Sequence, residues 1–578
     1  MISQKNRKKS SKKIKTLLFF ILVASYLIVL ISLRFKSTTI DRIIESYRNS
    51  SLYFNETISN DGSIVAEPSQ PKRFKYVRIK NSSYKLKKPN ESKEIDEKRE
   101  VIKAIMLRCW RAYSNKHWGR NDIRIRSDSF RRINLDFHYP DSNQSLTIVD
   151  ALDTLLLMNL KEEYQIAREW ILKNFSFIDS DQVVPILPTI TNLVGGLLSS
   201  FAITGDIGLL RKAHRIASSI LPALQNSCEL SNLFFIPNGK KPNAEFYEAS
   251  LADLGSFYLE FKYLSDMTGD WRFQKRAFQI RSKLLLMRTE NNTFYANINV
   301  KKCDWINQLM TTGKATGRFY DCLLKSFIQS NNTDYSALKW FLFSVLGMES
   351  NRMIMRTESG DFLYLTESKF GHNNQFMEHY SCFVPGLLKI AVKHLQKLWD
   401  QNHQYFLMNE FNRKILERMD SIAADLVETC FHAYNSTYSK LGADFFYFGE
   451  SMHFTQPEGT FNDLSPEYIE SLFYMWRLTK DPKYRQYAWS YVQAIKNQSE
   501  TENGYFGIFN VNNKRTISND YQPSFFLGAT LKYLYLIFSN DAVFSLDRWI
   551  FNAAGHPLPI CDKNDAYPLK SCTSKFYF

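Results

Sequence analysis

Apolar residues recur at helical spacing along most of the chain from about residue 99 onward. VIKAIMLRCWRAY, SLTIVDALDTLLLMNL, NLVGGLLSSFAI, LADLGSFYLEFKYLSDM, CFVPGLLKIAVKHL, YIESLFYMWRL and SFFLGATLKYLYLIF all carry the i, i+3, i+4 pattern of a helix with a buried face. Few segments alternate; TFYANINV (293–300) and ADFFYFGE (443–450) do, and predict short strands in hairpin loops. FAITGDIGLLRKAHRIA, YLSDMTGDWRFQKRAFQI and MWRLTKDPKYRQYAWSYV each read as a helix end, a tight turn and a new helix. In these turns Gly ends the first helix, and Asp206, Asp270 and Asp481 are placed to cap the second. Tight turns within helix pairs and longer segments between them predict an all-α toroid or solenoid of about fourteen helices between residues 99 and 555.

One buried helix stands out, LPTITNLVGGLLSSF (187–201). Gly195-Gly196 in its middle costs about 1 kcal/mol per glycine relative to alanine. Close packing on a neighbour explains such a pair, and close approach of a ligand is the other reading. No Asp or Glu occurs between Gln182 and Gly205.

The N-terminal part has a different pattern. Residues 16–33, TLLFFILVASYLIVLISL, form an uncharged apolar run long enough to span a bilayer. The basic cluster KNRKKSSKKIK before it predicts a signal anchor with the N-terminus in the cytosol. No small-x-small cleavage site follows closely, which disfavours a cleaved signal peptide. Residues 34–98 are polar and lack a sustained apolar period, so they read as a stem, mostly disordered or extended. The expected layout is a basic tail (1–15), an anchor (16–33), a lumenal stem (34–98) and a barrel (99–578).

Composition sharpens this layout. The first fifteen residues hold seven Lys/Arg and no acid, and residues 34–100 hold fifteen Lys/Arg against ten acids. Only +4 of the net +16 therefore falls on residues 101–578, and no phosphate-binding stripe is expected, which argues against nucleic acid as a partner. Ten Asn-x-Ser/Thr sequons and eight cysteines without any CxxC fit an oxidising, glycosylating compartment.

Candidate chemistry lies at the starts of apolar helices. Asp150 and Asp153, Asp253 with Glu260, Asp321, and Glu467 with Glu470 all open such segments. Each alone is a helix-dipole carboxylate. Several converging at one end of a toroid would supply the paired carboxylates of glycoside hydrolysis.

The ordered motifs SLTIVDALDTLLLMNL, NLVGGLLSSF, LEFKYLSDMTGD, FYDCLLK, MEHYSCFVPGLL, PEYIESLFYMWRLTKDPKYR, SFFLGATLKYLYLIF and FNAAGHPLPI resemble the class I α-1,2-mannosidases, glycoside hydrolase family 47, over about residues 99–560. The resemblance implies an (α/α)7 barrel with small hairpin loops behind an N-terminal transmembrane helix. It also implies an endoplasmic reticulum or Golgi location, and inverting, calcium-dependent trimming of mannose from N-glycans.

Residue by residue, the resemblance carries over unevenly. The family's first catalytic Glu falls on Pro188, and its second catalytic acid falls on Gly317. The third is kept as Glu467, Glu470 is kept, and two family Glu are shortened to Asp253 and Asp321. The calcium-binding Thr falls on Ala553 and the following Glu on Ala554, while two further Glu fall on Pro523 and Ala529. No metal is therefore expected, since calcium needs 6–8 oxygen ligands. Cys382 and Cys430 match the family's disulfide. Cys561 and Cys572 are candidates for a second, and Cys109, Cys228, Cys303 and Cys322 stay unassigned.

Three functions are compatible with this pattern. The first is a barrel with hydrolysis lost or very weak, kept to recognise mannose-rich N-glycans or glycoproteins in a lectin-like or quality-control role. The second is an active mannosidase with a rearranged site, using Glu467 as base and Asp253 or Asp321 in the acid role. The third is a scaffold that binds neither glycan nor metal. A protein partner is left open. An isoprenoid enzyme is excluded by the absence of an Asp-Asp-x-x-Asp motif.

Overall fold

The computed structural model describes residues 74, 76–79, 91–124, 144–242, 246–401, 410–449, 452–453 and 459–572. The predicted tail, anchor and most of the stem lie outside the described residues. Arg73–Phe578 form one compact unit.

Among the described residues fourteen helices of more than ten residues follow one another, counting segments broken by a short irregularity as one. They are α1 (Lys93–Lys116), α2 (Leu146–Leu157), α3 (Lys161–Lys173), α4 (Ile186–Thr204), α5 (Ile207–Ile220), α6 (Tyr258–Thr268, preceded by the short turn Leu251–Gly255) and α7 (Arg272–Leu286). The second half adds α8 (Gly317–Gln329), α9 (Tyr335–Ser350), α10 (Val384–Gln401), α11 (Glu410–Asn435), α12 (Glu467–Thr479), α13 (Pro482–Gln498) and α14 (Phe526–Ile537). Even-numbered helices are buried almost all round: every residue of α8 is buried, as is every residue of α2 but Leu156. Odd-numbered helices bury one stripe; α3 buries only Tyr164, Ala167 and Ile171. That contrast separates an inner ring from an outer ring. It also explains why α4, apolar enough to cross a membrane, does not need one: 83% of its apolar window is buried in the barrel.

Direction alternates around the rings, so every inner helix starts at the same end. The tight turns leave the other end. Asp206 and Asp481 accept from the backbone N–H two residues on and cap α5 and α13, as the turn pattern predicts. Asp270 accepts from the Arg272 N–H at 3.3 Å and also binds the Arg272 guanidinium.

The longer segments before the inner helices carry short antiparallel pairings. Asn297–Asn299 pairs with Glu248–Ser250 and with Asp304–Trp305, and Phe376–Glu378 pairs with Phe445–Phe448, so both predicted strands exist. The strands of a last hairpin, Trp549–Phe551 and Pro557–Pro559, are wholly buried and lie against α8, α4 and α6.

Three disulfides are present: Cys382–Cys430, Cys561–Cys572, and a pair unassigned from sequence, Cys228–Cys303. Cys109 and Cys322 are buried thiols. The sequon asparagines Asn174, Asn291, Asn435 and Asn497 are exposed.

The structure extends the ordered body into the expected stem. α1 starts at Lys93, and a strap at residues 74 and 76–79 packs on the outer face. Val77 N–H donates to Met267 O at 2.8 Å. The Tyr76 hydroxyl is 3.0 Å from His214 Nδ1, whose Nε2 is 3.0 Å from Asp270 Oδ2. The Phe74 ring sits edge-on to His214 at 4.7 Å. Aromatic anchors, not a helical period, hold the strap, so a search for periodicity passes over it. Each such ring contact is worth about 0.5–1.5 kcal/mol. Replacing both Phe74 and Tyr76 by alanine is expected to speed tryptic cleavage at Arg78 by about tenfold. An unchanged cleavage rate would show that the strap is not held.

Candidate active site

Two inner helices meet at a buried charged cluster. α8 presents Arg318, Asp321 and Lys325 on one face, at i, i+3 and i+7. α12 answers with Glu467 and Glu470 from its first turn. Arg318 Nη1 donates to Glu470 Oε2 at 3.0 Å, and Nη2 lies 3.6 Å from Glu467 Oε1. The same guanidinium is 3.8 Å from Asp321 Oδ2, and its Nε donates to the Tyr380 hydroxyl at 2.8 Å. The Tyr380 and Phe383 rings flank it at 5.2 and 4.7 Å. Lys325 Nζ bridges Asp321 at 2.8 Å and Glu470 at 3.1 Å. None of these five charged side chains is more than 7% exposed.

Electrostatics divide the three carboxyls. Burial pushes Glu467 up to about 7, outweighing the pull of Arg318. Burial acts on Glu470 too, but Lys325 and Arg318 together hold it below the ordinary range. Burial raises Asp321 despite both cations. His379, 3.8 Å from Glu467 Oε2, is held down to about 3 by burial, so it is neutral and adds no cation. Its Nε2 pairs with the Tyr434 hydroxyl at 2.6 Å.

A second polar network lies around the tip of the buried C-terminal hairpin. Asp153 Oδ1 pairs with Lys532 Nζ at 2.7 Å, and its Oδ2 pairs with His556 Nδ1 at 2.8 Å and accepts from Ser199 Oγ at 2.8 Å. Asp150 takes Ser524 Oγ at 2.6 Å, Asn192 Nδ2 at 3.2 Å and His556 Nε2 at 3.3 Å. Asn552 Nδ2 donates to Glu260 Oε1 at 2.7 Å and to Thr191 O at 2.8 Å. Burial lifts Glu260 to about 7.

This network accounts for the glycine pair. A Cβ on Gly195 would lie 2.6 Å from Asn552 Nδ2, and one on Gly196 would lie 2.9 Å from Val149 Cγ1 and 3.1 Å from His556. Close packing on the hairpin tip and α2 is therefore the reason for it. Backbone of π-helical form at Thr189–Val194 and Phe526–Thr530 flanks Asp150 on both sides, an irregularity that the apolar period does not signal.

The Glycosyl hydrolase family 47 profile matches residues 105–560. The chain belongs to glycosyl hydrolase family 47. Within it, the mannosyl-oligosaccharide alpha-1,2-mannosidase IA of Spodoptera frugiperda is 33% identical over 486 residues, covering 83% of this chain and 69% of that protein. The mannosyl-oligosaccharide 1,2-alpha-mannosidase IB of Homo sapiens is 31% identical over 477 residues, covering 81% of this chain and 71% of that protein. An alpha-1,2-mannosidase structure from Trichoderma reesei superposes with a TM-score of 0.69 at 20% identity, covering 80% of this chain and 99% of that one. That likeness shows the (α/α)7 barrel.

Asp321, Glu467 and Glu470 come together in the α8–α12 cluster. Asp253 has a different part: its carboxylate takes the Ser250 N–H at 3.1 Å and the Ser250 hydroxyl at 2.6 Å in a capping box, so its conformation follows from helix capping. Pro188 lies half-buried in the first turn of α4, where a missing N–H costs nothing. Gly317 opens α8, and its Cβ position is taken: it would lie 2.5 Å from Thr312 O and 2.8 Å from the Phe383 ring. Sequence reasoning missed Arg318 and Lys325, although their spacing from Asp321 signals both.

Ala553 and Ala554 themselves bring no side-chain oxygen, and the Ala554 N–H donates to Asn552 Oδ1 at 3.0 Å. Ala529 is buried, and a Cβ on Gly555 would lie 2.9 Å from the Ala529 Cβ. Lys532 already donates to Gly555 O at 2.7 Å. Among the described residues no group of three or more His, Cys, Asp or Glu is arranged to hold a metal ion.

Proposed function

We propose that this family 47 chain has lost its α-1,2-mannosidase hydrolysis, or keeps it only very weakly, and that its barrel recognises mannose-rich N-glycans of glycoproteins. One observation carries this reading. Arg318 lies within 4 Å of each carboxylate of the α8–α12 cluster, in a place no more than 7% exposed. A hydrolase needs an acid and a base with room for water between them, about 6.5–9.5 Å apart in inverting enzymes. Here two acid positions are Pro188 and Gly317, and Gly317 has no room for a side chain. Loss of one acid or base costs about 10²–10⁴ in rate.

Calcium does not fit this chain. Pro523, Ala529, Ala553 and Ala554 supply no side-chain oxygen, and the hairpin carbonyl of Gly555 is bound to an ammonium. Residues 16–33 would anchor the barrel in an endoplasmic reticulum or Golgi membrane as a type II protein, facing the lumen. The body's small net charge and exposed sequons support that placement.

One observation favours the alternative of a rearranged, active site: Glu467 is pushed to about 7, where a general base works best. A single experiment separates the two. The chain lacking residues 1–33 is incubated with an oligomannose glycan, and released mannose and bound glycan are measured with calcium and with chelator. Binding without release is expected. Mannose release that Glu467→Gln abolishes would sink the proposal.

A further inference from the structure

Three carboxyl groups gathered in one enclosed spot are costly unless opposite charge lies among them. The α8–α12 cluster meets this need from within the chain. Arg318 reaches all three, bonding Glu470 at 3.0 Å and lying 3.6 Å from Glu467 and 3.8 Å from Asp321. Lys325 covers Asp321 and Glu470 from the other side at 2.8 and 3.1 Å. The guanidinium is held in place by its Nε–H bond to Tyr380 and by the rings of Tyr380 and Phe383. A planar guanidinium suits this place better than an ammonium, because it can donate in several directions and lie against rings at once.

Gly317 belongs to the same arrangement. The space its side chain would use holds the Phe383 ring and the Thr312 carbonyl, and that ring packs on Arg318. A lost side chain at 317 and a gained cation at 318 thus form one packing unit.

We infer that Arg318 is a built-in cation that, with Lys325, offsets the charge of the α8–α12 carboxylates, so that the barrel folds without a metal ion, Glu470 is held from sugar by both cations and Glu467 lies against Arg318. The inference rests on the reading of this site as catalytically silent. It gives that silence a cause: the carboxylates are occupied by the chain itself.

The test is thermal melting of the full chain in detergent, followed by tryptophan fluorescence, for wild type, Arg318→Met and Arg318→Lys. Wild type is expected to melt at the same temperature in millimolar calcium and in chelator. Arg318→Met keeps bulk and loses charge, and should melt lower by about 5 °C or more. Arg318→Lys keeps the charge and should lose less than half as much. If Arg318→Met does not fold and Arg318→Lys does, the charge is again shown to be required.

Three results would overturn the inference. One is Arg318→Met melting with wild type. Another is Arg318→Lys behaving no better than Arg318→Met, including both failing to fold. The third is calcium raising the wild-type melting temperature by several degrees, as a bound ligand would. Mannose release is a separate readout. Release by the wild type would defeat the reading of a silent site without altering the melting comparison.

Discussion

Replacing Lys532 with methionine is expected to destabilise the barrel by about 3–5 kcal/mol, the cost of leaving one member of a buried ion pair alone. Lys532 and Asp153 are both 0% exposed and 2.7 Å apart. Burial by itself would raise the Asp153 carboxyl, but Lys532 and His556 override it and hold that carboxyl below its ordinary range. Taking the ammonium away leaves Asp153 with its bonds to His556 and Ser199. It also removes the donor to Gly555 O, at the tip of the hairpin that fills the barrel. Urea denaturation of Lys532→Met, Asp153→Asn and the double variant would check this. The double variant should lose clearly less than the sum of the two, because neither charge is then stranded. A single-variant loss below about 1 kcal/mol would show that the pair is not the keystone of the hairpin contact.

The barrel was legible because its physics is repetitive. Inner helices such as α8 and α14 are buried on every side, outer helices carry one stripe, and Gly-Asp turns such as Gly205-Asp206 mark where one becomes the other. The site was legible only by position. Helix periodicity placed Asp321, Glu467 and Glu470 at helix starts, but which helix faces which is a tertiary fact. Arg318 was therefore not seen as their common partner. Asp253 is the converse case: as an acid opening a helix it looks like a site residue, and its carboxylate also closes a local capping box with Ser250. The strap at Phe74 and Tyr76 was missed for a third reason. It is held by a few aromatic and hydrogen-bond contacts to His214, which leave no periodic trace in a polar segment.

Restoring the two missing acids by Pro188→Glu with Gly317→Asp is expected to leave mannose release at background. Position 188 is receptive. It lies in the first turn of α4, where the helix dipole favours an anion by about 0.3–1 kcal/mol. Position 317 is not, because any Cβ there meets Thr312 O at 2.5 Å and the Phe383 ring at 2.8 Å. Overpacking of that kind costs about 1–3 kcal/mol, so the double variant should also melt lower. Even with a carboxylate at position 317, Arg318 would still lie 3.6 Å from Glu467 and pair with Glu470. A carboxylate paired with a guanidinium loses basicity and the freedom to take a proton. Groups that act as a unit in catalysis do not contribute additively, so two acids returned to an occupied site should yield little. Adding Arg318→Ser to the pair removes the competing cation and the side chain that packs on Phe383. Free mannose from an oligomannose glycan is expected to stay at background in that triple variant too, because the Thr312 carbonyl and the absent calcium ligands are unchanged. Release from the two-site variant with Arg318 still in place would show that the missing acids alone silence the barrel.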